Sequence, residues 1–232
     1  FLDFDGTLVE IVDRPDAVVI EPALCALLDR LSKALPGRLA IVSGRSIAQL
    51  DGFLGPGLAG IALAGSHGCE LRLADGTLLQ PCPPAGLDAA TRALARFAGS
   101  RPGTIVEPKS YGVTLHYRLA PDQARPAQSI ARQVADEHGL ELQPGKMMME
   151  LKIAGCDKGD AVAALMRTGG MDGTCPWFIG DDLTDEAGFA AARRLGGGGI
   201  LVGRRPPTEA IFSLPDVAAV RAWLATALGG AA

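Results

Sequence analysis

Apolar residues recur in two rhythms along the chain, and the switch between them is the first structural signal. Residues 1–4 read as the end of a buried strand. From Glu21 to Leu35, the positions Leu24, Leu27, Leu28, Leu31 and Leu35 share one helix face, and Pro36-Gly37 stops the run. Leu39 to Val42 is a short apolar run ending in Ser43-Gly44-Arg45. A short helix is predicted near 46–54, and Ile61 to Ala64 is another apolar run. Short buried strands alternating with helices predict a parallel sheet covered on both sides.

The rhythm then changes. Cys69 to Leu73, the turn Ala74-Asp75-Gly76-Thr77 and Leu78 to Gln80 predict a β-hairpin. Pro81, Pro83 and Pro84 read as a linker. A helix is predicted near 87–98, then strands at 104–109 and 112–119, an amphipathic helix at 122–138, and strands at 140–143 and 146–153 split by a turn at Pro144-Gly145. Neighbouring strands joined by short turns predict an antiparallel sheet. From Cys156 the alternating pattern returns: a helix at 158–168, a buried strand Pro176 to Ile179 ending in Gly180-Asp181-Asp182, a helix at 184–195, a strand at 200–202 and a last helix at 216–228. The predicted organisation is one α/β domain, residues 1–80 and 155–232, interrupted by an α+β insert at 81–154.

Composition narrows the classes. The 232 residues are 48% hydrophobic, enough for a sizeable core. A net charge of −4 leaves no basic footprint for nucleic acid. No apolar run approaches the length of a membrane span, and no signal peptide opens the chain. The five cysteines are scattered, odd in number and without a C-x-x-C, which points to a reducing cytoplasm and away from a disulfide framework or zinc site. The first residue is Phe, and the first strand starts two residues before Asp3, so a few upstream residues are expected. A monomer acting on a small molecule is the expectation.

The chemistry lies at strand ends, where ligands bind in open α/β sheets. Strand one ends in Asp3 and Asp5, the second in Ser43, and the strand near 177–179 in Asp181 and Asp182. The helix after the insert begins Asp157-Lys158-Gly159. Close carboxylates repel one another and need a cation. Oxygen ligands without His or Cys suit Mg²⁺, which commonly shares itself with a substrate phosphate. A hydroxyl and an ammonium donate to phosphate oxygens. A free carboxylate is a competent nucleophile at phosphorus, and a second carboxyl can donate a proton to the leaving alkoxide.

Asp3-Phe4-Asp5-Gly6-Thr7, Ser43, Lys158 and Gly180-Asp181-Asp182 stand in the order of the four motifs of haloacid dehalogenase-like phosphatases, and the chain resembles that superfamily. The resemblance implies a Rossmann-like parallel sheet core with an inserted α+β cap. It implies Asp3 as nucleophile, forming an aspartyl-phosphate, with Asp5 as general acid/base. Asp3, the backbone carbonyl of Asp5 and Asp181 would surround Mg²⁺, supported by Asp182 and Asp185. Ser43 and Lys158 would hold the phosphoryl group.

The insert carries the candidate selectivity. In Val113–Leu119 the odd positions are apolar, so Thr114, His116 and Arg118 share the other face; in Lys146–Ile153 the odd positions are again apolar, leaving Lys146, Met148, Glu150 and Lys152 opposite. The insert, Gly65-Ser66-His67-Gly68 and Gly180-Asp181-Asp182-Leu183-Thr184-Asp185-Glu186 are similar to the trehalose-6-phosphate phosphatase family over nearly the whole chain. Ser66 stands where that family often has Asn or Glu. By this match Glu107, Lys109, Arg118, Lys146 and Glu150 would grip the distal glucose of trehalose 6-phosphate, with Arg45 and His67 as further substrate-binding candidates. Alternatives at this point are another capped sugar phosphatase, such as one acting on sucrose phosphate, and a domain that senses a sugar phosphate without turning it over.

Overall fold

The computed structural model describes residues 1–12, 14, 17–55, 59–79 and 84–229. The linker prolines Pro81 and Pro83 lie outside the described residues. Two compact units separate: Phe1–Gln80 with Cys156–Ala232, and Pro81–Gly155.

The first unit is built on one sheet. Its strands are β1 (Ala40–Val42), β2 (Ala62–Gly65), β3 (Glu70–Arg72), β4 (Leu78–Leu79), β9 (Trp177–Gly180), β10 (Gly198–Val202) and β11 (Phe212–Leu214). On one side the order is β4-β3-β2-β1, on the other β9-β10-β11. The opening residues join the halves. Leu2 bridges in parallel to both Ile41 and Ile179, and its N–H donates to the Ala40 carbonyl while the Asp3 N–H donates to that of Ile179. Among the described residues, the β2–β3 and β3–β4 pairings of this sheet are antiparallel and the rest are parallel.

Strand alternation splits the apolar residues between two layers. Ile41, Leu63, Ile179, Ile200 and Val202 pack with α1 (Pro22–Ala34), α2 (Ile47–Leu54) and α7 (Val217–Gly229), through residues such as Leu24, Leu28, Leu50 and Val220. Val42, Ala64, Phe178 and Leu201 face the opposite way, toward Val162 and Leu165 of α5 (Lys158–Leu165) and Phe189 of α6 (Glu186–Arg194). Both faces are therefore covered, and the strand ends are left for chemistry. α1 begins at Pro22, whose fixed φ suits a first helical turn. α2 is entered through a capping box, Ser46 and Gln49 each accepting the other's backbone N–H.

The second unit is a four-stranded antiparallel sheet ordered β5 (Ile105–Pro108), β6 (Gly112–His116), β8 (Met148–Lys152), β7 (Glu141–Gly145). Val113, Leu115, Met149 and Leu151 form one apolar cluster with Leu87, Ala90 and Leu94 of α3 (Leu87–Gly99) and Ala127, Ala131 and Val134 of α4 (Ala124–His138). Two boundaries differ from the sequence reading. β7 runs through Pro144 and Gly145, which pair with Met149 and Met148, and the turn falls on Lys146-Met147, with Met147 at φ +61°. An edge strand tolerates proline because its outward N–H needs no partner. β6 ends at His116, where the Tyr117 N–H leaves the ladder for the Met147 carbonyl. Among the described residues no helix is long and apolar enough to cross a membrane.

Candidate active site

The register puts the chemistry on one sheet edge. Leu2 is level with Ile41 and Ile179. Running parallel, the three segments leave the sheet together, as Asp3, as Val42-Ser43 and as Gly180-Asp181. Lys158 enters from the first turn of α5. Its ammonium donates to Asp3 Oδ1 at 2.7 Å and to Asp185 Oδ1 at 2.6 Å. A lysine at a helix start opposes the macrodipole; here two carboxylates compensate it. Asp3, Lys158 and Asp185 are all buried.

Asp185 holds the third strand's exit loop in shape. Its Oδ2 accepts the backbone N–H groups of Asp181 and Asp182, both at 2.9 Å. The Asp182 carboxylate caps the same turn, accepting the Leu183 N–H at 2.7 Å. Arg205 fastens the loop from outside. Its Nη2 donates to the Asp182 carbonyl at 3.1 Å and pairs with Glu186, which also accepts the Glu209 N–H. Asp181 Oδ1 is buried and has no hydrogen-bond partner among the described residues.

Asp3, Asp181 and Asp185 each present an oxygen within 4.8 Å of the others. Burial is the largest influence on Asp3 and on Asp181. It pushes Asp3 well above the usual carboxylate range, against the pull of Lys158 and with the push of Asp185 and Asp181. It raises Asp181 to about 7, assisted by the charge of Asp185. Burial alone would lower Lys158, but the charges of Asp185 and Asp3 outweigh it and hold the ammonium well above its ordinary range. One lysine thus faces three acids, and two negative charges remain when all are ionised. A divalent cation fits that surplus, the all-oxygen donor set and the orphaned Asp181 Oδ1.

Asp5 does not join this group. Both its oxygens are taken by Arg45, Nε to Oδ2 and Nη2 to Oδ1, each at 2.7 Å. The guanidinium is seated over Phe53, 4.8 Å from the ring centre. Ser43 is buried, with its Oγ accepting the Arg45 N–H at 3.1 Å. His67 donates its N–H to the Ser43 carbonyl at 2.9 Å, and its ring packs so closely on Gly44 that an added Cβ there would lie 2.6 Å away. Ser66 and His67 hold positive φ, +50° and +57°. Glu70 fixes that strained turn, its Oε1 accepting from Ser66 Oγ at 2.8 Å and the Ile47 N–H at 3.0 Å. Glu70 was not singled out from sequence. The available signal was a lone acid opening a strand inside an apolar stretch.

Of the insert's candidates, Glu107 and Glu150 lie on the sheet face away from its helices, while Arg118 and Lys146 lie beyond the strand ends. Glu107, Thr114 and Glu150 form one row across β5, β6 and β8. Lys109 pairs with Glu150 at 3.0 Å and His116 with Glu107 at 2.9 Å. Arg118 reaches the Lys146 carbonyl at 3.4 Å, while the Lys146 side chain is exposed.

A strand-end aspartate, a lysine bridging two acids and a glycine-aspartate loop thus stand together at one sheet edge. The sequence model of one family, trehalose-phosphatase, matches residues 1–217. The chain belongs to the trehalose-phosphatase family. A Sinorhizobium fredii protein described as a probable trehalose-phosphate phosphatase is 39% identical over 97% of this chain and 85% of its own length. The trehalose-6-phosphate phosphatase of Escherichia coli is 38% identical over 97% of this chain and 84% of its own. Among solved structures, a trehalose-6-phosphate phosphatase related protein superposes with a TM-score of 0.80 at 27% identity, covering 98% of this chain and 96% of that one. A phosphatase of the haloalkanoate superfamily from Bacteroides thetaiotaomicron shares the fold, with a TM-score of 0.64 at 14% identity over 98% and 93%. The chain is thus a phosphatase with a haloacid dehalogenase-type α/β core.

Proposed function

We propose that this trehalose-phosphatase family member hydrolyses trehalose 6-phosphate to trehalose and phosphate, with Asp3 as nucleophile and Mg²⁺ as cofactor. The observation that carries the reading is the buried Asp3–Lys158–Asp185 chain beside the unpartnered Asp181 oxygen. Lys158 holds the Asp3 carboxylate in a fixed direction, so the attacking oxygen is positioned before substrate arrives. Asp3 attacks phosphorus and becomes an acyl phosphate; water then cleaves that bond.

Asp5 protonates the departing sugar oxygen and later takes a proton from water, a role worth about 10²–10⁴-fold in rate. With both oxygens held by Arg45, the carboxylate is not free for that role. The phosphoryl group, which is anionic, competes for Arg45 and frees the Asp5 carboxylate to turn toward the leaving oxygen. Ser43 and Lys158 contribute donors to the phosphoryl oxygens. Asp3, Asp181 and the Asp5 carbonyl would hold Mg²⁺, with Asp182 and Asp185 supporting the loop. The bound ion supplies charge neutralisation at the phosphoryl oxygens.

The insert reads the sugar. Glu107, Lys109, Arg118, Lys146 and Glu150 offer donors and acceptors suited to hydroxyls, and His67 shapes the phosphate side through Ser43 and Gly44. The scattered cysteines and the absence of a long apolar helix among the described residues fit a cytoplasmic enzyme, which we take to work as a monomer.

The test is phosphate release with and without Mg²⁺ from trehalose 6-phosphate, glucose 6-phosphate and sucrose 6-phosphate. The expected result is magnesium-dependent turnover with trehalose 6-phosphate strongly preferred, and none in Asp3→Asn. Preference for sucrose 6-phosphate would overturn the substrate. Substantial release by Asp3→Asn would overturn the nucleophile.

A further inference from the structure

We propose that Thr114 is a further sugar-reading residue, its buried hydroxyl meeting a hydroxyl of the sugar phosphate between Glu107 and Glu150. This deepens the substrate reading above and rests on it.

Thr114 sits at the middle of β6. Its strand neighbours Val113 and Leu115 enter the insert's apolar cluster, so the threonine points to the opposite face. It is level with Glu107 on one side and Glu150 on the other. The residue is 0% exposed, and its Oγ1 has no hydrogen-bond partner among the described residues. By contrast, the hydroxyls of Thr91, Thr104, Thr168 and Thr174 each donate to a carbonyl three or four residues back. A mid-strand residue has no such carbonyl within reach. Valine would fill the same β-branched slot without an unsatisfied oxygen. For folding alone, the hydroxyl is a loss.

The neighbours define what it is for. Glu107 is tied to His116 and Glu150 to Lys109. Ionised carboxylates only accept and an ammonium only donates, whereas a hydroxyl does both. A sugar hydroxyl also does both. Thr114 is therefore the member of the row that can receive a proton from one sugar hydroxyl or give one to it, while the flanking acids accept from its neighbours on the ring.

The experiment compares Thr114→Val and Thr114→Ser with the wild type on trehalose 6-phosphate and p-nitrophenyl phosphate, alongside thermal melts. Wild-type preference for trehalose 6-phosphate is established first, so a failure of the substrate reading shows there and not in the variants. The expected result for Thr114→Val is a melting temperature at or above wild type. The ratio of kcat/KM for the sugar phosphate to that for the aryl phosphate should fall about five- to tenfold, the loss of one neutral hydrogen bond. Thr114→Ser, which keeps the oxygen, should retain most of the ratio. An unchanged ratio in Thr114→Val overturns the proposal. So does an equal loss on both substrates, or a ratio lost as fully in Thr114→Ser, since each makes the residue structural.

Discussion

Replacing Gly6 with alanine tests the position proposed for Mg²⁺ with a single methyl group. Gly6 turns the chain at φ +86°, its N–H donating to the Val9 carbonyl at 2.7 Å. A Cβ built there lies 2.3 Å from one Asp181 oxygen and 2.4 Å from its carboxyl carbon. Two effects separate. The left-handed backbone costs an alanine about 1–2 kcal/mol, a fall of roughly 2–8 °C in melting temperature for a chain of this size. The contact must also open by roughly 1 Å to reach ordinary van der Waals distance. Asp181 is tied at its backbone to Asp185, so the side chain yields first and the carboxylate rotates away. A misplacement of about 1 Å costs on the order of 10²-fold in rate. Gly76→Ala is the control, since Gly76 sits at φ +90° with no heavy atom within 4 Å of its added Cβ. Isothermal titration with Mg²⁺, turnover of trehalose 6-phosphate and thermal melts should show similar destabilisation in both variants. Magnesium affinity and turnover should be lost only in Gly6→Ala. If Gly6→Ala binds magnesium and turns over like the control, Asp181 is not where the ion sits.

Protonation gives a second handle. Without metal, burial and the Asp185 charge hold Asp181 up at about 7, against an ordinary 3.8. The folded state then binds that proton more tightly than the unfolded chain, so metal-free stability falls as pH rises from 3.8 to about 7; melts at pH 5 and 8 check the sign. Magnesium must displace the proton, so its affinity should climb up to about tenfold per pH unit below neutrality and then level off. Titrations in buffers of different ionisation enthalpy count the protons released, and a pH-independent affinity would contradict the buried acid. Asp185→Asn removes one carboxylate from the buried Lys158 pairing and one acceptor from the Asp181 and Asp182 N–H groups. Because Lys158 keeps Asp3, the cost is that of weakened buried hydrogen bonds, about 1–3 kcal/mol, read as a lower urea midpoint at constant slope; unchanged stability would show that Asp185 is not a structural member of the cluster.

Much of the core was legible because its apolar runs end in polar residues. Asp3, Ser43 and Asp181 each follow a run of buried residues, and that grammar places all three at strand ends. What the sequence does not contain is which ends meet whom. Arg45 and Asp5 are 40 residues apart and Lys158 and Asp185 are 27 apart; both pairings depend on strand order and on the direction in which α5 enters. Pro144-Gly145 misled because that dipeptide ordinarily marks a turn, whereas an edge strand absorbs it. β11 is three residues long, too short for alternation to register, and so escaped the pattern altogether. Thr114 was visible as a sheet-face residue. Its lack of a partner was not, because satisfaction of a hydroxyl is a property of the neighbours.

The joining role of residues 1–3 has a consequence for the order in which the molecule is made. The main-chain bond from Phe1 to Trp177 spans 176 positions, so the seat of Asp3 closes only after Trp177 has emerged from the ribosome. By then the insert, finished at Gly155, has had time to fold by itself, as domains made first generally do. Closing the long gap is the slow step that such distant pairings impose. A nascent chain therefore carries Asp3 without its flanking β9 and Asp181 until that strand has been made.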